Sequence, residues 1–157
     1  MALALAGCSV PSEAPSPQPL FDPVAFFTGH THGEGIIDPL VGAKSRLRVD
    51  SVGHADRGGI LLVQRIEEGT KPARIRRWRL KPVAPGRYGG WLTDAKGAIS
   101  AERDGNSLAI RYRTPAGLDV EQMLTLRPDR RTVGNRMTIR KWGLPVAHVK
   151  ERITKVD

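Results

Sequence analysis

The 157-residue chain leaves room for one domain and a tail, while its single cysteine excludes an internal disulfide. Its 25 Lys and Arg against 16 Asp and Glu give a formal charge of +9, which either draws phosphates, anionic lipid or acidic sugars or is simply a solvated surface. An aromatic content of 5% without any basic–aromatic recognition motif argues against a nucleic-acid partner.

The first residues read as an address. Leu5-Ala6-Gly7-Cys8 matches a lipobox and predicts a lipid on Cys8, and with it a membrane partner. Met1 to Gly7 is an apolar stub without Lys or Arg, shorter than a secretory signal with its basic region and ~7–15-residue apolar core. Residues 1–8 are therefore expected to be the end of a signal segment that starts upstream. Residues 9–20 read SVPSEAPSPQPL, with four prolines and three serines, and predict an extended, disordered tether. No later stretch approaches ~18 consecutive apolar residues, so no transmembrane helix is expected.

Residues 21–157 are predicted to form one all-β domain. Pro23 to Phe27 is the only expected helical turn, with Asp22 as its cap and Pro23 at the first helical position. Beyond it, alternation with period two dominates. Leu47 and Val49 alternate with Arg46, Arg48 and Asp50; Leu108, Ile110 and Tyr112 share a face opposite Ala109, Arg111 and Arg113. Val120, Gln122, Leu124 and Leu126 form another such face, as do Val133, Asn135, Met137 and Ile139. Turn signals at Gly53 to Gly59, Glu68-Gly69-Thr70, Ala84-Pro85-Gly86, Asp104-Gly105-Asn106, Pro115-Ala116-Gly117 and Pro128-Asp129-Arg130 separate the runs. The expected product is an antiparallel up-and-down meander of some eight to ten strands, near the ~8–12-residue spacing of barrels and sandwiches. Closure into a barrel is favoured over a sandwich because it leaves no strand edge.

Three clusters could carry chemistry. His30, His32 and Glu34 are spaced by two on one strand face, a plausible zinc or iron set or else a solvated, glycine-punctuated edge. Arg74, Arg76, Trp78 and Leu80 share a face against Ile75, Arg77 and Arg79, so at least one guanidinium beside Trp78 faces the interior or lies across a ring. A buried arginine needs a partner: a carboxylate such as Glu67 or Glu102, or an anionic ligand. Asn135, Arg136, Lys141 and Trp142 precede Gly143 and either line an opening or cap the barrel end. Asp94 and Asp104 lie near turns, where aspartate usually bonds its own backbone. No nucleophile elbow, phosphate loop or zinc-protease helix motif occurs, so no catalytic residue and no cofactor are implied.

Several segments together resemble a family of Gram-negative lipoproteins known only as a domain of unknown function. They are Phe26-Phe27-Thr28-Gly29 with Gly35, Arg77-Trp78-Arg79-Leu80, Gly90 to Gly97 around Asp94, Gly105-Asn106 before Leu108 to Tyr112, and Asn135-Arg136 with Lys141-Trp142-Gly143. The resemblance implies a lipocalin-like barrel in an envelope protein with no established activity. It also implies a diacylated Cys8, with Ser9 favouring the outer membrane, periplasmic side. The chain departs from the family pattern in its Arg74, Arg76, Arg77 and Arg79, and in its His30 and His32. The functional expectation is a barrel binding a fatty acid or lipid, with Arg76, Trp78, Tyr112, Asn135 and Arg136 as candidate ligand contacts. The alternatives are an assembly protein docking through its basic surface on anionic lipid or a protein partner, and a metal-dependent enzyme.

Overall fold

The computed structural model describes residues 18–157; the expected lipidation site Cys8 and the first part of the expected tether lie outside the described residues. One short helix, α1 (Pro23–Phe27), precedes ten strands: β1 (Gly29–Pro39), β2 (Ser45–Asp56), β3 (Gly59–Glu68), β4 (Arg74–Ala84), β5 (Arg87–Leu92), β6 (Ile99–Asp104), β7 (Ser107–Arg113), β8 (Asp119–Leu126), β9 (Thr132–Lys141) and β10 (Leu144–Lys155). Each strand pairs antiparallel with its chain neighbours, and β1 pairs with β10 to close the barrel. The structure is thus the all-β up-and-down barrel expected from the alternation, and the sandwich alternative falls.

The side-chain period of two sends one face of every strand inward. Val49, Leu62, Trp78, Leu108, Tyr112, Leu124 and Val133 are buried, while Arg48, Arg65, Arg77, Arg111 and Glu121 stand on the outer surface. An outer wall carrying charges is the reverse of the apolar band of a barrel that crosses a bilayer. Among the described residues, no helix is long and apolar enough to cross a membrane.

The two ends of the barrel differ. At one end α1 is a plug, started as expected by Asp22, whose carboxylate accepts from the backbone N–H of Val24 at 2.9 Å and Ala25 at 3.2 Å. Phe21, Phe26 and Phe27 stack edge-to-face beneath it and join the core, and Lys155 Nζ donates to the Phe26 carbonyl at 3.0 Å near the helix C-terminus. Pro19 is buried, so the packed chain begins inside the expected tether.

Gly53 was read as the start of a turn, but β2 runs through it to Asp56, and the turn is Arg57-Gly58. A Cβ at Gly53 would stand 1.8 Å from the Phe27 carbonyl oxygen. The glycine is there because the plug crosses the strand, a reason invisible in local sequence.

Candidate functional site

Below the open end, a cavity of about 200 Å³ enters the barrel. Its walls are mostly apolar, with Leu47, Val49, Ile66, Val120, Ile139 and Val149 among them, and its polar groups are Glu68, Arg74, Arg76, Asp94, Tyr112, Thr114 and Glu151. Nearer the plug lies a second space of only about 50 Å³, lined by Leu62, Leu108, Leu124 and Ile153. Arg76 borders both. The lower half is therefore a filled core, and the upper half is a pocket whose floor is a guanidinium.

The floor is held by a chain of buried hydrogen bonds. Gln64 Nε2 donates to Ser51 Oγ at 3.0 Å, and Gln64 Oε1 accepts from Trp78 Nε1 at 2.6 Å and from Arg76 Nε at 2.9 Å. The Arg76 guanidinium also lies 5.2 Å from the Trp78 ring centroid, a cation–π contact, and Tyr112 meets the same indole edge-to-face at 6.0 Å. Pairing β3 with β4 sets Gln64 opposite Arg76, so one register fixes acceptor and cation together.

The floor is short of negative charge. The Arg76 side chain is 12% exposed, and its nearest carboxylate, Asp94 Oδ2, is 3.9 Å from Nη1 and sits 2.5 Å from Arg74 Nη1. Of the five N–H donors of a guanidinium, only Nε–H has a hydrogen-bond partner among the described residues. Burial pulls the Arg76 pKa below its ordinary value, yet arginine stays charged in proteins. Glu151 offers little relief: burial pushes its carboxyl up from the usual range, against weaker pulls from Asn135 and Arg76. Burial likewise raises the Tyr112 hydroxyl. Thr31 Oγ1, Gln122 Nε2 and Asn135 Oδ1 are buried without partners among the described residues, an uncommon state for interior polar atoms.

Glu151 lies inside because β1 makes room for it. A Cβ on the inward-facing Gly33 would stand 2.1 Å from Glu151 Oε1, and Asn135 Nδ2 donates to Glu151 Oε2 at 2.9 Å. The glycine run of β1 therefore serves an interior carboxyl rather than a flexible edge.

Of the expected contacts, Arg76, Trp78, Tyr112 and Asn135 all face the interior. Arg136 does not: it is exposed on the outer face of β9, as the alternation that buries Asn135 requires. Lys141 and Trp142 lie at the β9–β10 tip. The expected partners of the buried arginine are corrected as well. Glu67 pairs with Arg65 and Arg48 on the outer surface, and Glu102 lies on β6 across from Arg87, so Gln64 and Asp94 take that place.

His30, His32 and Glu34 do share the outer face of β1, but they are split among carboxylates. His30 Nδ1 lies 2.8 Å from Asp157, and His32 lies 2.6 Å from Asp50 and 3.4 Å from Glu34. No cluster of three or more potential ligands is arranged to hold a metal ion among the described residues. Gln64, Asp94 and Glu151 were missed by sequence reasoning. Only Gln64 carried a local signal, as a polar residue at an inward position of an apolar strand.

A family model matches residues 2–155. The chain belongs to the family described as "Protein of unknown function (DUF3833)". Membership supports the resemblance to a domain-of-unknown-function family. No curated protein matches this DUF3833 chain. Among solved structures, the chain is similar to the S-type phycobiliprotein lyase CPES from Guillardia theta, with a TM-score of 0.67 and 6% sequence identity over 85% of this chain and 90% of that one. At that identity the likeness concerns the fold, a closed barrel of lipocalin type.

Proposed function

We propose that the barrel binds an amphiphilic monoanion, a carboxylate with an apolar tail, which enters head-first through the open end. The observation that carries this reading is the buried Arg76 guanidinium at the base of a pocket with mostly apolar walls, with one donor hydrogen-bonded and its nearest carboxylate, Asp94, 3.9 Å away and shared with Arg74. A bidentate carboxylate would engage two of the four remaining donors and neutralise an interior charge that Asp94 meets only at 3.9 Å. Asn135 and Glu151, whose carboxyl burial pushes up from the usual range, stand nearby as further polar groups.

The volume narrows the ligand. Pockets for drug-sized ligands span ~300–1,000 Å³, above the roughly 200 Å³ here. A short acyl chain fits whole, and a longer one would leave its tail in the mouth. The lipobox at Leu5–Cys8 supports placing this binding at the outer membrane, facing the periplasm.

Calorimetric titration with octanoate and decanoate, and with decanol as the uncharged control, tests the reading. Binding of the acids, a much weaker signal for the alcohol, and loss with Arg76→Met are expected. Equal binding of acid and alcohol, or binding unchanged in Arg76→Met, sinks it.

A further inference from the structure

The open end carries a feature that the cavity does not need. Leu40 and Val41, in the turn after β1, are 77% and 88% exposed, and Trp142 and Leu144, at the β9–β10 tip, are 87% and 68% exposed. The two tips are neighbours because β1 pairs with β10: Pro39 is opposite Ala147, and Leu40 N–H donates to the Val146 carbonyl at 2.9 Å. Four large apolar side chains thus project together beside the mouth.

Trp142 is held there at a cost. Trp142-Gly143 is a two-residue hairpin loop with both residues at positive φ, +51° and +78°, the geometry that favours Asn-Gly. A bulky aromatic in the left-handed region is a genuine outlier, and here the side chain is left 87% exposed rather than packed into the core. Strain held without a gain in core packing points to a use at the surface.

The charge around the tips is cationic. The turns at this end contain Lys44, Lys71 and Lys96, and Asp94 is their one acid, turned to Arg74 and Arg76. Lys44 and Lys71 pair with Asp38 and Glu68, whereas Lys96 and Lys141 enter no ion pair among the described residues. Lys141 Nζ lies 4.7 Å from the centroid of the Trp142 ring. An indole beside a lysine and aliphatics, with Lys96 across the mouth in the β5–β6 turn, is the composition that seats at a lipid–water interface. The shape agrees: projecting tips enter a soft planar surface, while a protein partner would need a matching hollow.

We propose that the β1–β2 and β9–β10 tips dock the mouth of the barrel on an anionic bilayer surface, with Trp142 and Leu40 inserted at headgroup depth and Lys141 and Lys96 over the lipid phosphates. The inference rests on the rim and holds whatever the cavity binds. The described chain begins at the other end of the barrel, where Gln18 and Phe21 meet Asn106 and Gly105. Docking through the tips is therefore separate from any anchor at the N-terminus.

The test uses the full chain with Cys8→Ser, so that no acyl group contributes, and flotation with vesicles of phosphatidylcholine alone or mixed with phosphatidylglycerol. Binding to the mixed vesicles is expected, weakened on the order of tenfold or more by Leu40→Ser with Trp142→Ser and by Lys141→Glu with Lys96→Glu. Val83→Ser, an exposed apolar position near the plugged end, is expected to leave it unchanged. Circular dichroism of each variant confirms the barrel, since all five side chains are on the surface. No vesicle binding, or salt-sensitive binding that the Leu40 and Trp142 changes leave intact, overturns the proposal. Tip-dependent self-association without lipid binding, read by sedimentation, also overturns it and assigns the patch to a second copy.

Discussion

Gln64 Oε1 takes a hydrogen bond from Arg76 Nε at 2.9 Å, and the same oxygen takes the indole N–H of Trp78 at 2.6 Å. One amide oxygen thus holds a buried cation and a buried aromatic donor inside the barrel.

Gln64→Leu leaves both donors unpaired. Each buried unsatisfied donor costs ~1–3 kcal/mol, more where charged, so a loss of about 3 kcal/mol is expected from urea unfolding. Adding Arg76→Met is expected to restore about half of it, because the charged donor is removed while the Trp78 indole N–H stays unpaired. Additive losses in the double-mutant cycle would show that the two side chains are uncoupled.

Glu151 governs pH dependence inside the barrel. Its folded pKa is raised, by burial above all, so the folded state holds a proton that the unfolded chain releases around pH 4.5. The stabilisation is present below that pH and is lost as pH rises through the folded value, where a buried carboxylate forms. Glu151→Gln is expected to raise stability at about pH 8 and to change little at about pH 4. Above about pH 6.5, where the octanoate carboxyl is already ionised, binding to the native protein is expected to weaken as Glu151 ionises and competes for Arg76, and to be flat in the Glu151→Gln variant. Thermal melts and titrations across pH check both.

His32 works in the other direction on the outer surface. Its pKa is raised from 6.5, first by the hydrogen bond to Asp50, against a lesser lowering by burial, with Glu34 adding to the rise. A base with a raised folded pKa contributes stability that is full below about pH 6.5 and lost as pH rises through the folded value. His32→Ala is expected to lower the melting temperature at about pH 5.5 and to leave it nearly unchanged at about pH 9. An equal effect at both would assign the loss to packing.

The plug depends on a missing side chain. Gly53→Ala puts a Cβ against the Phe27 carbonyl, a backbone atom that cannot swing away, and overpacking of this kind costs ~1–3 kcal/mol. The expected loss is at the upper end. Gly33→Ala is expected to cost less, because the Glu151 carboxyl can move aside. Equal losses in denaturant melts would contradict this ordering.

The barrel was legible because its cause is repetitive. Leu108-x-Ile110-x-Tyr112 and Val120-x-Gln122-x-Leu124-x-Leu126 state their faces residue by residue, and the structure buries those faces. The helical turn was legible for a local reason, since Asp22 and Pro23 act on the backbone beside them. Asp94 was misjudged for the same localness. Its position near a turn suggested a bond to its own backbone, while its carboxylate reaches Arg74, twenty residues away across the β4–β5 pair.

The period-two alternation is written in the chain itself, and from it follow the barrel and an arginine beside Trp78 that faces the interior or lies across a ring. Tertiary structure decided that Arg76 is that arginine, that Gln64 rather than Glu67 or Glu102 holds it, and that Glu151 rests over Gly33. The division has a physical basis: a period of two assigns a side chain to a face, but register and closure decide which distant residue meets it there.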